Sequence, residues 1–166
     1  MKIYLEPGIF FGKIDISNPT PNSTVTSDTN LIPYKKEDDD NFSSREKPIS
    51  MVITQFHVLV LFRNCFKAIC VLNEEVVFED YFTETYGRMI GIAKDPAKGT
   101  VWIYSEMAVY RYKIVQEDRN IWQIYLDEKN FNRAKYYAKN DSVKLDKVIC
   151  EEAQHYFNLK KYVANT

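Results

Sequence analysis

Histidine, glycine and cysteine are all scarce in this chain, and each scarcity removes a class of function. Only two histidines, His57 and His155, occur in 166 residues. They stand far apart in segments of different expected type, so a Ser-His or Cys-His nucleophile pair has little to rest on. Five glycines include no phosphate-cradling loop, and there is no Gly-x-Ser-x-Gly or His-Glu-x-x-His. Asn, Asp and Lys must therefore supply several of the turns. The three cysteines, Cys65, Cys70 and Cys150, are odd in number and lack paired short spacings, which argues against a disulfide framework and fits a reducing compartment. No window approaches the ~18 apolar residues of a membrane span. The opening MKIYLEPGIFF does not read as a signal peptide, because Glu6 and Pro7 break its apolar run. A formal net charge of −1 gives no reason to propose a nucleic-acid or anionic-membrane partner. The expectation is a soluble, intracellular chain.

What the chain does contain is core material, with 45% apolar residues, twelve Tyr and ten Phe. Ile3–Leu5 and Gly8–Ile14, parted by Glu6-Pro7, read as two adjacent strands. Residues 17–48 are rich in Ser, Thr, Asn, Asp and Pro and bury too little to offset ordering entropy, so a mobile loop is expected there. Ser50–Thr54, His57–Phe62, Phe66–Leu72 and Val76–Phe82 are four β-prone runs with hairpin-length connections. His57–Phe62 is apolar on both faces, as an inner strand is; Glu79 and Asp80 mark Val76–Phe82 as an outer one. Four antiparallel strands in so short a stretch have the size of a propeller blade, for which repeats of roughly 40–45 residues are typical. A second unit follows in Met89–Ala93, Val101–Tyr104 and Ala108–Ile114, with only three strands visible.

Between Ile114 and Glu117 the apolar period changes from that of a strand to that of a helix. Trp122, Tyr125 and Leu126, then Phe131, Ala134 and Ala138, fall on helical faces. Asp141-Ser142 reads as the cap of a third helix with its stripe through Leu145, Val148, Ile149, Ala153, Tyr156 and Phe157. A fourth segment is expected from Lys160. Leu126 and Phe131 recur as Phe157 and Tyr162 at one common offset, near the period of stacked helical hairpins.

Candidate chemistry is thin. Cys65-x4-Cys70 with Cys150-x4-His155 lacks the tight ligand pairs of structural zinc, and Cys150 and His155 point to different helix faces; buried thiols in a strand and a helix are expected instead. Glu152-x-x-His155 is half of a di-iron motif with no second half, and reads as a solvated helix face. Asp38-Asp39-Asp40-Asn41 lacks the Gly and Glu of a calcium loop and reads as solvated acidic loop, with Ser43 and Ser44 beside it as possible phosphorylation sites. The stripes Trp122, Tyr125 and Tyr156, Phe157 read as helix-packing core. Physical reading alone gives a two-part, non-catalytic scaffold with no catalytic, cofactor-binding or metal residues and no cofactor.

The blocks ITQFHVLVLF, KAICVLNEEVVFEDYF, TVWIYSEMAVYRYKIVQEDRNIWQIYLDEKNFNRAKYYAKND and EEAQHYF resemble the vacuolar protein sorting protein 18, or deep orange, family. PGIFFGKID is similar to an earlier piece of the same proteins. The specific part is AVYRYKIVQEDRNIWQIYLDEKNFNRAKYYA, with Trp122, Tyr125, Leu126, Phe131 and Ala134 at the family's spacing. The resemblance implies an α+β fragment: antiparallel β-propeller blades, partial and about two in number (residues 1–114, with 17–48 a loop), then α-helical hairpins of an α-solenoid (residues 115–166). It also implies a central piece of a longer subunit of HOPS and CORVET complexes, which tether endosomal, vacuolar and lysosomal membranes before SNARE-driven fusion. The implied partners are other tethering subunits and, indirectly, SNAREs and small GTPases. The implied place is the cytoplasmic side of late endosome or vacuole membranes, held peripherally. The RING cysteines of the family are missing here, so zinc and ubiquitin-ligase activity are not carried over. The alternative is a free-standing adaptor in which the β part binds a peptide and the helices dimerise.

Overall fold

A computed structural model describes residues 2–5, 8–14, 26–33 and 47–163. The chain divides into two compact units, Met1–Lys47 and Pro48–Thr166. In the first, β1 (Lys2–Leu5), β2 (Gly8–Ile14) and β3 (Thr26–Pro33) form an antiparallel meander in the order β1-β2-β3. The third strand is a correction, because it falls inside the stretch expected to be a loop. Its composition is polar on average, yet Ile32 lies directly opposite Ile9 and both are buried, at 3% and 1% exposure. One apolar cross-strand pair fixes the register where the average hid it. Residues 17–25 and 34–46, including Asp38–Asn41, Ser43 and Ser44, lie outside the described residues.

In the second unit, β4 (Ser50–Ile53), β5 (His57–Leu61), β6 (Cys65–Cys70) and β7 (Val76–Tyr81) form a four-stranded antiparallel sheet in chain order. β8 (Met89–Asp95), β9 (Thr100–Ser105) and β10 (Val109–Lys113) form a three-stranded one. These are the two expected sheets. Leu59, Leu61, Phe66 and Ala68 of the first face Met89, Ile92, Val101 and Ile103 of the second in one core. The first strands of the two sheets, β4 and β8, lie side by side, which is how blades radiate from a propeller's axis. A bulge between Met89 and Gly91 brings the Gly91 backbone beneath the Tyr104 ring. A Cβ there would clash with the tyrosine oxygen, so the site excludes a side chain unless the ring moves.

At the outer rim the sheets are held by a polar bond as well as by rings. The Tyr112 ring packs at a tilt against Phe66 at 5.0 Å, and its hydroxyl donates to Asp80 of β7 at 2.6 Å. Burial, and then the Asp80 carboxylate, push this phenol well above its ordinary range, so it stays a donor. Tyr112→Phe is expected to cost about 1 kcal/mol in urea unfolding. A variant as stable as the parent would show that the bond contributes nothing.

The helices begin later than the change of period does. A turn over Glu117–Asn120 precedes α1 (Ile121–Asp127), α2 (Phe131–Ala138) and α3 (Ser142–Val163). Asn130 and Asp141 cap α2 and α3, accepting from the Arg133 and Lys144 amides at 3.3 and 3.2 Å. The segment expected from Lys160 is the end of α3 rather than a fourth helix, since no turn residue interrupts it. Trp122, Tyr125, Leu126, Phe131, Ala134 and Ala138 are core, as expected. The α3 stripe is core only at its start: Val148 is fully buried and Leu145 packs against the same cluster, as expected, whereas Ile149, Ala153, Tyr156 and Phe157 are exposed. The inward line runs from Leu145 and Val148 on through the half-buried Glu152 and His155, roughly a fifth of a turn from the expected one. No helix among the described residues is long and apolar enough to cross a membrane.

Candidate functional site

The feature that organises the second unit is the joint between its sheets and its helices. After β10 the chain must leave the sheet plane, and Gln116 does this with φ of 50°. That is a left-handed conformation costing a non-glycine residue of order 1 kcal/mol. The next residue anchors the turn. Oε1 of Glu117 accepts from the Thr54 hydroxyl, from the Phe56 amide at 2.7 Å and from His57 Nδ1 at 3.1 Å. Thr54 and Phe56 lie in the turn between β4 and β5 and His57 opens β5, so one carboxylate oxygen ties the helix entrance to a hairpin more than fifty residues earlier. The Thr54 hydroxyl in turn accepts from the His57 amide at 3.2 Å.

Burial by itself would raise the Glu117 pKa, but hydrogen bonds from His57, Thr54 and the Phe56 amide, together with the His57 charge, outweigh it and bring it down to about 2. Glu117 is thus ionised at neutral pH, and His57 carries a proton on Nδ1 because a carboxylate can only accept. This arrangement holds a backbone in place. One oxygen of its acid takes three donors, and its imidazole is turned onto that acid.

Phe56 continues the joint into the helices. It belongs to the core formed by Ile121, Trp122, Tyr125, Leu126 and Val148, and meets Tyr137 edge-on at 5.5 Å. Tyr137 stacks on Tyr125 at 5.7 Å. Cys70, at the end of β6, is in the same cluster. The helical stack therefore sits on one end of the four-stranded sheet. Beside the joint is a cleft of about 340 Å³. Ala68, Val77 and Phe78 form one wall, Tyr112 and Ile114 another, and Glu117 lies at its polar end.

The other residues singled out from the sequence do not gather. Cys65 and Cys70 are buried in β6, as expected, whereas Cys150 is exposed on α3, a correction that follows from the rotated α3 face. Glu152 and His155 are not a solvated face. Glu152 pairs with Lys135 at 2.5 Å, and His155 packs on the Phe131 ring at 5.4 Å. Among the described residues, no three His, Cys, Asp or Glu side chains approach as cation ligands do. Sequence reasoning missed the Glu117 anchor. The available local signal was Thr54-x-x-His57 in a turn, and nothing nearby names the distant acid.

Two antiparallel sheets packed as adjacent blades and handing over to capped helical hairpins define a blade-and-hairpin scaffold. Residues 3–114 match the Pep3/Vps18/deep orange beta-propeller domain, and the chain belongs to that family. It is 42% identical over 94% of its length to the Vacuolar protein sorting-associated protein 18 homolog of Danio rerio. The Drosophila melanogaster homolog of the same name is 32% identical over 66% of the chain, and the Arabidopsis thaliana Vacuolar sorting protein 18 is 25% identical over 94%. The chain spans 15%, 11% and 16% of these relatives.

Proposed function

We propose that this chain is a non-catalytic scaffold in vacuolar protein sorting, serving a HOPS- or CORVET-type membrane-tethering complex. In this reading residues 1–114 are the end of a β-propeller and residues 115–166 the start of an α-solenoid. The partners are other tethering subunits and, through them, SNAREs and small GTPases, with peripheral attachment to late endosome or vacuole membranes. The relatives' names support the sorting role. The observation that carries the scaffold reading is the pairing of a fixed joint with an uncovered helix face. Glu117 locks the helices to the sheet, while Tyr156 and Phe157 stand 54% and 65% exposed on α3, as the end of a helical stack does before its next neighbour.

The test is affinity purification of the tagged chain from cells, with tethering subunits quantified by mass spectrometry. They are expected to be enriched with the parent and lost with Tyr156→Asp/Phe157→Asp, whose helical circular dichroism should be unchanged. Equal recovery by parent and variant would overturn the role given to this face. Absence of tethering subunits from both, with unrelated partners recovered, would favour a free-standing adaptor.

A further inference from the structure

We infer that the outward face of α2 receives an acidic helical segment of a partner protein, its carboxylates repeating at each turn along one side. The inference rests on the scaffold reading and gives the chemistry of one partner surface.

The formal net charge of −1 averages over a local excess. From Lys129 to Asn140 the sequence KNFNRAKYYAKN holds four basic residues and no acidic one. Lys135 is taken by Glu152 of α3. Lys129, Arg133 and Lys139 are exposed and make no ion pair among the described residues. Of the acids that flank the stretch, Asp141 is paired with Lys144 and Asp127 accepts from Gln123, which leaves Glu128.

Two of these cations are held on aromatic rings instead. The Arg133 guanidinium lies over Tyr125 at 5.3 Å and donates one N–H to its hydroxyl at 3.3 Å. The Lys139 ammonium sits 4.3 Å from the centre of the Tyr136 ring. A ring contact fixes where a cation stands without neutralising it, and so lowers the ordering cost of meeting a carboxylate. Arg133 keeps further N–H donors for a bidentate acceptor.

The composition of this face keeps it outside the helical stack. Phe131, Ala134 and Ala138 turn one side of α2 into the core, and Arg133 and Tyr136 fall on the opposite side. A face that awaits another helix is apolar, as the side of α3 bearing Tyr156 and Phe157 is. This one sets cations and amides around a single tyrosine, Tyr136, which is 59% exposed. Arg and Tyr are also the side chains on which protein interfaces concentrate their binding energy.

A membrane fits less well. Three cations with no exposed Leu, Ile, Phe or Trp between Lys129 and Asn140 make a weak anchor on anionic lipid. A second copy also fits less well, because the exposed acids of its α3, Asp146 and Glu151, stand among Lys144 and Lys147, which the same face would repel.

The probe is a fluorescent alanine-rich peptide of roughly 15 residues with glutamate along one side at every turn, read by anisotropy. Its controls carry lysine for glutamate, or the same glutamates distributed around the helix. The one-sided acidic peptide is expected to bind at least about tenfold tighter than either control. Arg133→Glu/Lys139→Glu, with helical circular dichroism unchanged, should reverse the preference between acidic and basic peptides. Tyr136→Ala, which removes the ring beneath Lys139, should weaken binding by about threefold while both charges remain. The peptide should slow chemical acetylation of Lys129 and Lys139 and leave Lys147 unchanged. Equal binding of all three peptides, or protection of Lys147 in place of Lys139, would overturn the proposal. So would tighter binding to vesicles of phosphatidylcholine and phosphatidylserine, lost in the charge-reversed variant, which would make the partner a membrane. Protection of both lysines without peptide would overturn it too: if it rises with concentration a second copy covers the face, and if not the chain's own residues do. No binding of the acidic peptide would likewise overturn it; with tethering subunits still recovered by the parent chain, the scaffold reading would stand.

Discussion

Glu117→Gln is expected to lower stability at pH 7 by roughly 3 kcal/mol and to remove a step from acid unfolding. A carboxyl whose pKa falls from 4.5 to about 2 on folding contributes roughly 1.4 kcal/mol for each pH unit of that fall. The sign follows from which state holds the proton. Above pH 4.5 both folded and unfolded chains are ionised at this position, and the full contribution is present. Between 4.5 and about 2 the unfolded chain takes up the proton while the folded chain does not, so stability drains away as pH falls. Glutamine keeps the shape without the charge, so the difference between parent and variant should be largest at neutral pH and should close near pH 2. Urea unfolding at several pH values measures it. Thr54→Val, which removes one of the three donors, should give a smaller loss of roughly 1–2 kcal/mol and keep the pH trend. Parallel pH profiles for parent and Glu117→Gln would show that the carboxylate is not an anchor.

That anchor also marks where sequence reading stops. The sheets of the second unit were legible because their signals are local. Apolar runs of strand length are separated by Arg63-Asn64 and Asn73-Glu74-Glu75, and Tyr110, Tyr112 and Ile114 alternate with Arg111 and Lys113. The cap of α3 was equally local, and Asp141 could be read from its place before the Leu145 stripe; the Asn130 cap of α2 was not read. β3 was not legible, because its burial rests on Ile32 meeting a strand elsewhere in the chain. The Glu117 network failed for the same reason. Its acid and its three donors are ordinary polar residues until folding places them within hydrogen-bond reach. The change of apolar period located the passage from strands to helices but carried no information about what fixes it.

The joint explains how two structures with different periods share one core. A sheet end offers turn backbone, which is polar, and a helix offers an apolar face. Glu117 satisfies the turn's amide and hydroxyl while Phe56, one residue from His57, supplies the apolar surface that the helices need. Polar satisfaction and packing are thereby placed on adjacent residues of one hairpin, so neither can be lost without disturbing the other. Among the described residues no buried side-chain polar atom lacks a partner. This agrees with a joint built for rigidity instead of a cleft that moves.

Val148→Asp should be the most damaging single change in the helical part, costing more than about 3 kcal/mol, because it places a charge where no water reaches. The residue is 0% exposed and packs with the α1 and α2 core. Its neighbours along the buried line are Leu145, Glu152 held by Lys135, and His155 against Phe131. These hold α3 from its sides, while Val148 is its one fully buried anchor among the described residues. Val148→Ala, which removes two methyl groups but no more, should cost roughly 2 kcal/mol. Phe157→Asp should change stability by less than about 0.5 kcal/mol, although the apolar stripe read from the sequence runs through Phe157 and would assign it a comparable loss. Thermal unfolding followed by helical circular dichroism separates the two registers. A large loss with Phe157→Asp and a small one with Val148→Asp would mean that α3 is rotated about its axis from the orientation described here, and that Tyr156 and Phe157 are core rather than an open face.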